Sequence, residues 1–450
     1  MTIKITNDLT QIDYPRYERY KDSGVDWLGE IPEGWDTRRL KYVLSERNER
    51  SKTGEEPLLM VSQKYGLVIR ADYHDKATVA LSSIDSKIVH KNDLVFNKLK
   101  AHLGVFYKSE IDLKGIVSPD YAVYRSKAYI EDLKFLELLF KLPIYIQQFI
   151  IRATGVAEGL IRLYTSELFD LPVPIPPLIE QKKILEFIDN KFVQIDQAIT
   201  LKQQQIAKLE EYKQIVIQNA VTKGLNPDVP MKDSGVDRID KLPEHWEVKK
   251  FRFSFKFQRG LNITKDDLRD KGVLCLNYGE IHSKYGFELL PEHKLKYVDD
   301  KYTETNYKSL LNNGDFVFAD TSEDIAGSGN FSYINGMMQV FAGYHTLIAK
   351  PIIDFDSRFV AYLLDSRAFR GQVQQRVKGV KVYSITQSIL KSTYIWLPPI
   401  DEQVKIVQEL DSEMKLINEA IQSYKTQIDR LKEYKTILIN QAVTGKIKVS

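Results

Sequence analysis

The amino-acid sequence contains one pattern of motifs twice, and this repeat restricts the possible folds more than any other feature. A leading motif, KDSGVDWLGEIPEGW, begins at Lys21, and a related one, KDSGVDRIDKLPEHW, begins at Lys232. A closing segment begins at Pro176 and recurs from Pro398, with 21 of 47 aligned positions identical. The leading motifs are 211 residues apart and the closing segments 222, so the second middle is 11 residues longer. The chain of 450 residues is therefore expected to build one architecture twice, with different loops in each copy.

Each closing segment has the hydrophobic spacing of a long coiled-coil helix, with apolar residues at alternating intervals of three and four. The predicted seam comprises Ile188, Phe192, Ile195, Ile199, Ile206 and Leu209 in the first helix, and Leu410, Met414, Ile417, Ile421, Ile428 and Leu431 in the second. A Pro-Pro pair precedes each segment, and Gly224 followed by Asn226-Pro227 ends the first helix. Some 43 residues at 1.5 Å per residue predict a rod of about 65 Å. Two amphipathic helices buried in one ordinary domain are the disfavoured alternative, because the seam persists over four heptads and recurs.

The two middles have matching patterns of strands and helices, which predicts a mixed α/β (α+β) fold class for both. In each, a turn precedes an alternating strand, with Asp93 and Asp315 in equivalent places. The paired strand patterns lie at 87–99 and 309–320 and at 116–125 and 340–350, and the helical patterns at 135–150 and 359–377. The predicted organisation is a globular domain at 1–175, a helical region at 176–224, a second globular domain at 225–397 and a second helical region at 398–450.

Composition excludes several classes of protein. The formal net charge is only +3, which excludes a histone-like polycation, so a nucleic-acid site has to be local or completed by a partner. Cys275 is the only cysteine, so neither an intrachain disulfide nor a cysteine metal cluster can form. The polar N-terminus lacks the apolar core of a signal peptide, and no run of 18 apolar residues occurs. We expect a soluble, cytoplasmic protein without contact to a membrane.

The sequence lacks the common motifs of catalysis. It has no GxxxxGK[ST] phosphate loop, no HExxH, no GxSxG and no Asn-Pro-Pro-aromatic tetrapeptide of amino-methyltransferases. Pro119-Asp120 with Asp132-Leu133-Lys134 imitates the carboxylate pattern of metal-dependent nucleases. That pattern is short, and Ala342-Gly343 takes the place of Pro119-Asp120 in the second repeat. We therefore expect no catalytic residue and no metal site in this chain.

Basic and aromatic residues cluster near two loops that occupy the same place in both middles, just before the last strand. The loops are TGVAEG, at 154–159, and GVKVYS, at 379–384. The candidate DNA-binding residues are Lys98, Lys100, His102, Tyr107, Arg152 and Arg162 in the first middle, and Arg370, Arg376, Lys378, Lys381 and Tyr383 in the second. Basic loops on a rigid scaffold suit phosphate anchoring, and arginine can read guanine in the major groove. Solvated surface charge is the alternative for each residue singly.

Together these motifs resemble the specificity subunits of type I restriction-modification systems over nearly the whole chain. The resemblance rests on the DSGV-W-LG-IP-GW leading motif, the PPL-EQ-KI start of the closing segment, its long heptad helix ending in AVT-G, and the doubling of the unit. The second leading motif departs from the pattern, with Arg238 in place of Trp27 and Asp240 in place of Gly29. The departure weakens that motif as a signature but leaves the repeat intact.

The resemblance implies two target recognition domains separated by two long antiparallel helices, with an internal pseudo-two-fold repeat. Each domain would read one half of a bipartite double-stranded DNA target, and the helices would set the spacer and dock two methyltransferase subunits. Those partners would carry S-adenosylmethionine, and restriction subunits would add ATP-driven, Mg²⁺-dependent cleavage, so this chain would need no cofactor and would work in a bacterial or archaeal cytoplasm. A non-catalytic coiled-coil scaffold, and a stand-alone Mg²⁺-dependent nuclease or methyltransferase, are the alternatives.

Overall fold

The chain forms two compact units in the computed structural model, which describes residues 14–73, 84–157, 160–237, 239–379 and 381–449. Unit 1 comprises Met1–Lys202 together with Thr426–Ser450, and unit 2 comprises Gln203–Lys425. Each unit contains one of the two middles and a part of each long helix. The C-terminal segment is thus a structural part of unit 1, which the linear order of the motifs does not predict.

Unit 1 is built around a four-stranded antiparallel sheet with the strand order β4-β11-β8-β9. Its strands are β1 (Tyr20–Asp22), β2 (Glu30–Pro32), β3 (Asp36–Arg39), β4 (Leu44–Glu46), β5 (Leu59–Ser62), β6 (Gly66–Ile69), β7 (Lys87–Val89), β8 (Leu94–Asn97), β9 (Phe106–Lys108), β10 (Gly115–Val117), β11 (Tyr121–Ser126), β12 (Thr154–Ala157), β13 (Leu160–Arg162) and β14 (Pro172–Ile175). Its short helices are α1 (Leu40–Val43), α2 (Lys134–Phe140), α3 (Pro143–Arg152) and α4 (Thr165–Phe169). Antiparallel pairs β1-β2, β3-β14, β5-β6, β7-β10 and β12-β13 complete the unit.

The central strand β8 is buried on both faces. Leu94 and Phe96 pack into the main core of unit 1 together with Trp35. Val95, on the opposite face, packs in a smaller core with Leu59 of the β5-β6 hairpin. The β5-β6 hairpin covers the second face, so side chains on both faces of this strand are apolar.

The closing segment of the first repeat is helix α5 (Leu178–Lys223), which is 46 residues long. It begins directly after Pro176-Pro177, where proline costs no helical hydrogen bond. It ends at Gly224, whose φ of +70° suits a residue without a Cβ atom.

Unit 2 repeats this arrangement with additional strands. Its strands are β15 (Met231–Val236), β16 (Ile239–Pro243), β17 (Glu247–Lys250), β18 (Phe255–Arg259), β19 (Val273–Leu276), β20 (Phe287–Leu289), β21 (Lys296–Val298), β22 (Leu310–Leu311), β23 (Phe316–Ala319), β24 (Thr321–Ser322), β25 (Phe331–Ile334), β26 (Val340–Ala342), β27 (Thr346–Pro351), β28 (Tyr383–Ser384) and β29 (Tyr394–Leu397). Its short helices are α6 (Tyr278–Ser283), α7 (Tyr302–Thr305), α8 (Ser357–Asp365), α9 (Arg367–Gln374) and α10 (Gln387–Ser392).

The strand orders confirm that both middles share one fold. The sheet β18-β27-β23-β25-β20 follows the order β4-β11-β8-β9 with one strand added at its edge. In the sheet β21-β19-β26-β22, the pair β22-β26 corresponds to β7-β10. The strands β19, β20 and β21 and the helices α6 and α7 lie between β18 and β22, where unit 1 has the β5-β6 hairpin between β4 and β7. The two middles therefore share a common scaffold and differ in the elements that connect these strands.

The turn before the central strand is built in the same way in both units. Asp93 accepts a hydrogen bond from the His90 backbone N–H at 2.8 Å and two from Arg47 at 2.8 and 3.0 Å. In unit 2, Asp315 accepts the Asn312 backbone N–H at 2.9 Å and lies 3.3 Å from Lys350. The predicted equivalence of the two aspartates is confirmed, although their cationic partners come from different strands.

Two details of the sequence interpretation are corrected by the structure. Each predicted helical pattern is a pair of helices, α2-α3 and α8-α9, because Pro143 starts a new helix in one and Ser366 caps a new helix in the other. The structural counterpart of Pro119-Asp120 is Tyr344-His345, since Tyr121 pairs with the last residue of β8 and Thr346 with the last residue of β23. The loops between the strands, 118–120 and 343–345, have the same length, so the alignment with Ala342-Gly343 was wrong by two residues.

The second closing segment is helix α11 (Ile400–Val443), 44 residues long and antiparallel to α5. Lys435 pairs with Asp196 at 2.8 Å in unit 1, and Lys213 donates to Asn418 at 3.2 Å in unit 2, so numbers rise along one helix as they fall along the other. All the predicted seam residues are buried or half-buried. The buried members, each at most 6% exposed, are Ile188, Ile195, Leu410, Met414, Ile417, Ile421, Ile428 and Leu431, and Phe192, Ile199, Ile206 and Leu209 are half-buried.

An equivalent hydrogen bond joins the leading motif to the closing segment within each unit. The indole of Trp35 donates to Glu180 at 3.1 Å, and the indole of Trp246 donates to Glu402 at 3.2 Å. Both tryptophans are fully buried, and a buried indole N–H requires an acceptor. This requirement explains why the Gly-Trp motif, or its His-Trp variant in the second repeat, recurs together with the glutamate of the closing segment.

In the part of the chain that the structure describes, no helix is long and apolar enough to cross a membrane.

Candidate nucleic-acid interface

Two of the predicted DNA-binding cations are held by carboxylates within unit 1. Lys98 lies 3.8 Å from Glu46, which also accepts a hydrogen bond from the buried Lys87 at 2.8 Å. Arg162 pairs with Asp120 at 2.7 Å. Burial, together with the neighbouring Lys87 ammonium, lowers the pKa of Lys98. Three cations share two carboxylates here, so the cluster keeps a small positive excess, but its side chains are already committed.

The side chains of Arg152 and His102 are also occupied within the protein, Arg152 by hydrogen bonds and His102 by partial burial. The Arg152 guanidinium donates to the side-chain oxygen and to the backbone carbonyl of Gln148, one helical turn earlier. His102 is half-buried in a 3₁₀ helix, and its Nδ1 is buried with no hydrogen-bond partner among the described residues. Thr154–Ala157 of the predicted TGVAEG loop form strand β12, and Glu158 and Gly159 fall outside the described residues, as does Arg238 of the second leading motif.

Lys100 lines a groove of about 460 Å³, and Tyr107 contacts a residue of its wall. The groove is lined by Met60, Val61, Ser62, Gln63, Lys64, Tyr65, Tyr73, Lys100, Leu103 and Val105. Lys100 is exposed, whereas Tyr107 is half-buried and its hydroxyl donates to the Gln63 carbonyl at 3.4 Å. Burial raises the pKa of Tyr107, so this hydroxyl keeps its proton and remains a donor. Tyr107 thus contacts the groove wall through its hydrogen bond to Gln63.

A larger cleft of about 560 Å³ in unit 1 has a different electrostatic character. Its charged lining residues are the carboxylates Asp93, Glu131, Asp132, Glu186 and Asp189 and the cations Arg47, Lys91, Lys108, Arg125 and Lys182. Equal numbers of both signs offer a polyanion no net attraction. The smaller groove, by contrast, has two lysines and, among its described lining residues, no carboxylate.

In unit 2, Arg370 and Arg376 are committed to intramolecular contacts. Arg370 pairs with Asp365 at 2.8 Å and donates to Asn330 at 2.7 Å. Arg376 donates to the Gln372 carbonyl at 2.6 Å. Arg370 is therefore a structural residue of α9, which its position in a basic stretch does not reveal.

Lys378, Lys381 and Tyr383 lie together at the predicted loop of unit 2. Both lysines are exposed, and Tyr383 in β28 pairs with Ser322 in β24. The loops were predicted to lie directly before the last strand of each middle. In the structure, a short helix lies between the loop and that strand, α4 in unit 1 and α10 in unit 2.

The carboxylates of the nuclease-like pattern do not form a common site. Asp120 pairs with Arg162, and Asp132 pairs with Lys108 at 3.0 Å and also accepts the backbone N–H of Lys134 at 2.8 Å. Among the residues that the structure describes, no group of three or more His, Cys, Asp or Glu side chains could hold a metal ion.

The sequence interpretation missed the residues on the opposite wall of the groove. Gln63, Lys64 and Tyr65 form the exposed turn of the β5-β6 hairpin, and Tyr65 contacts Tyr73 with ring centroids 4.6 Å apart. The available signal was a three-residue stretch followed by Gly66 between two apolar strands, which is typical of a hairpin.

Comparison with known proteins identifies the family. The sequence model of the type I restriction modification DNA specificity domain matches twice, at residues 32–211 and 243–432. The specificity subunit of the type I restriction enzyme MjaVIII of Methanocaldococcus jannaschii is 24% identical over 93% of this chain and 94% of that protein. A putative MjaX specificity subunit from the same organism is 26% identical over 97% and 99%.

Two solved structures share the fold. A chain from a structure on complex assembly and conformational transition of the type I R-M system has a TM-score of 0.67 at 16% identity, covering 92% of this chain and 98% of that one. The HsdS subunit from Thermoanaerobacter tengcongensis has a TM-score of 0.52 at 15% identity with the same coverage. With two family domains that span most of its length, the chain belongs to the type I restriction-modification DNA specificity family, as a non-catalytic specificity subunit with two target recognition domains.

Proposed function

We propose that this chain selects a two-part sequence in double-stranded DNA, with one part read by each recognition domain. Two observations support the proposal. One DNA specificity domain matches the chain twice, and the two matched regions have corresponding strand orders with different loops. Where unit 1 has the hairpin that carries Gln63–Tyr65, unit 2 has β19 followed by helix α6, and β20 and β21 join different sheets. Different loops on a common scaffold read different ligands, so the two parts of the target differ in sequence.

The long helices set the gap between the two parts. At 1.5 Å per residue, 46 and 44 residues correspond to rods of about 69 and 66 Å. Four residues inserted after Ile199 add about 6 Å, which is close to two base pairs at about 3.4 Å each. The inserted turn should lengthen the unspecified gap by one or two base pairs and leave both specified parts unchanged. Four residues inserted after Lys271, in an exposed loop, serve as the control and should leave the gap unchanged.

The chain acts in a complex that supplies catalysis. Two methyltransferase subunits dock on the helices and carry S-adenosylmethionine, and restriction subunits contribute ATP- and Mg²⁺-dependent cleavage. The formal net charge of +3 supports this division, because a protein that held a duplex alone would need many more phosphate contacts. The curated relatives named above are specificity subunits of such enzymes.

Co-expression with its cognate methyltransferase subunit, in a host without DNA methylation, tests the proposal. Single-molecule sequencing of modified bases should show one split motif with a modified adenine in each part and a fixed gap. A single continuous motif would contradict the assignment of one part to each domain. A stable complex that modifies no DNA would instead favour a scaffold without DNA specificity.

A further inference from the structure

The β5-β6 hairpin of unit 1 is a two-stranded ribbon with one face packed on a small core and an exposed turn. Leu59 and Val61 pack into the small core beneath it, as do Leu67 and Ile69 of the second strand. The three turn residues Gln63–Tyr65 are exposed, and Gly66 follows with φ of +78°, the left-handed conformation that closes a three-residue hairpin turn. The ribbon is therefore anchored along its length and presents its tip to solvent.

Several contacts fix the conformation of this tip. The Ser62 hydroxyl accepts the backbone N–H groups of Lys64 and Tyr65, both at 3.3 Å. The Tyr107 hydroxyl holds the Gln63 carbonyl at 3.4 Å, and the Lys64 ammonium lies 4.8 Å from the Tyr65 ring. A turn held by its own side chains keeps a defined shape, which is what sequence-specific recognition requires.

The charge around the tip suits a polyanion. Lys64 and Lys100 face the same groove from two different elements, the turn and the 3₁₀ helix Lys98–Leu103. The described lining contains no Asp or Glu, whereas the cations predicted elsewhere in unit 1, Lys98 and Arg162, are paired with carboxylates. Lys64 and Lys100 are thus the cations of this region that can neutralise phosphates without breaking an internal ion pair.

We infer that the tip of the β5-β6 ribbon enters the DNA major groove and reads bases of one half of the target through Gln63 and Lys64. The inference rests on the proposed function. A major groove about 12 Å wide admits a two-stranded ribbon, whose strands lie about 4.8 Å apart. Glutamine can pair with the N6 and N7 atoms of adenine, and lysine with O6 and N7 of guanine. Lys100 contacts a flanking phosphate, and Tyr107 is a positioning residue that holds the turn.

The test uses the full chain in complex with its methyltransferase subunits, and the readout is the modified sequence set on genomic DNA. Gln63→Ala and Lys64→Ala should each make one base position degenerate in a single half of the motif, with a loss of discrimination of about 5- to 150-fold. The other half and the gap should not change. Gln63→Glu should shift the preferred base toward cytosine, because a carboxylate accepts the N4 amino group. Lys52→Ala, an exposed lysine of the same unit, is the matched control and should leave the motif unchanged.

Lys100→Ala and Tyr107→Phe separate phosphate contact from positioning. Lys100→Ala should weaken modification of all sites alike and reduce the dependence of log affinity on log salt by about 0.9, without changing the motif. Tyr107→Phe keeps the ring and removes the hydroxyl, so it should broaden the same half of the motif that Gln63→Ala affects. A merely structural role for this hydroxyl would lower thermal stability without altering the motif.

The inference and the proposed function fail in different ways. If the unaltered complex modifies no split motif, the proposed function is wrong, and the inference falls with it. If that complex does modify a split motif and the folded Gln63 and Lys64 variants retain both halves unchanged, only the inference is wrong. Equal degeneracy in both halves would also overturn it, because the ribbon would then contribute to general DNA affinity and not to reading.

Discussion

The two aspartates that precede the central strands, Asp93 and Asp315, form a matched pair for measuring what a buried ion pair contributes. The substitutions are Asp93→Asn and Asp315→Asn, which keep size and one acceptor oxygen for the backbone N–H at each turn. The side chains of Asp93 and Asp315 are 3% and 6% exposed, so burial is nearly equal. Their cations differ, since Arg47 makes two hydrogen bonds to Asp93 and Lys350 makes one longer contact with Asp315.

The magnitudes follow from these contacts. Removing one partner of a buried ion pair typically costs about 3–5 kcal/mol. Arg47 is 21% exposed and retains Glu49 at 3.5 Å, which places Asp93→Asn near the lower limit, at about 3 kcal/mol. Asp315→Asn loses a single contact of 3.3 Å to a partly exposed lysine and relieves a buried charge, so its cost is about 1 kcal/mol. Asp93→Asn should therefore be the more destabilising by about 2 kcal/mol.

Hydrogen exchange followed by mass spectrometry measures these values, because a chain with two units has no single free energy of unfolding. The protection of the β8 amides reports on Asp93→Asn, and that of the β23 amides on Asp315→Asn. Each variant also serves as the control for the other, since its effect should be confined to its own unit. Equal losses of protection, or a larger loss for Asp315→Asn, would refute the argument from pairing geometry.

Three further predictions concern the seam, the thiol and pH. Ile421→Ala removes a seam residue that is 4% exposed and should lower the free energy of opening of unit 2 by about 2–4 kcal/mol, whereas Leu416→Ala, 60% exposed, should change it by less than about 0.5 kcal/mol. Hydrogen exchange of the α11 amides checks both, and similar effects would contradict the seam assignment. Burial raises the pKa of Cys275 to about 12, so iodoacetamide at pH 8 should label this thiol slowly in the native chain and rapidly in urea. Fast labelling of the native chain would contradict the burial of the thiol. Burial also raises the pKa of Asp315 above its unfolded value, so the protonated form of this group stabilises the fold. The advantage of the wild type over Asp315→Asn should therefore be largest below about pH 3.9 and decline as pH rises through the folded pKa. Hydrogen exchange of the β23 amides at several pH values tests the sign.

The predictable part of the fold is the part encoded by short-range periodicity. The heptad spacing placed both long helices, and the Pro-Pro pairs marked their first turns to within a residue of the observed starts at Leu178 and Ile400. The matching strands around Asp93 and Asp315 were also predictable, because a turn followed by an apolar run is a local signal. The division of each helical pattern at Pro143 and Ser366 was missed, since the apolar pattern continues across both breaks.

The candidate interface was predictable only in outline. Counting basic residues near the loops selected Lys100, Lys378 and Lys381, which are exposed, but it could not separate them from Arg162 and Arg370, which the fold pairs with aspartates. The hairpin turn at Gln63–Tyr65 has only one lysine and no arginine, so charge alone does not distinguish it.

The doubled architecture, the long helix at the end of each copy and the family of type I specificity subunits can all be read from the order of residues, because repeats, heptads and motifs are properties of neighbouring residues. The folded chain is needed to see which segment completes unit 1 and which of the described cations can contact a phosphate without losing a carboxylate partner. The carboxylate that neutralises Arg162 lies 42 residues away in the chain, at Asp120. Coulombic attraction depends on distance in space, and that distance is set by the packing of strands and helices and not by the order of the residues.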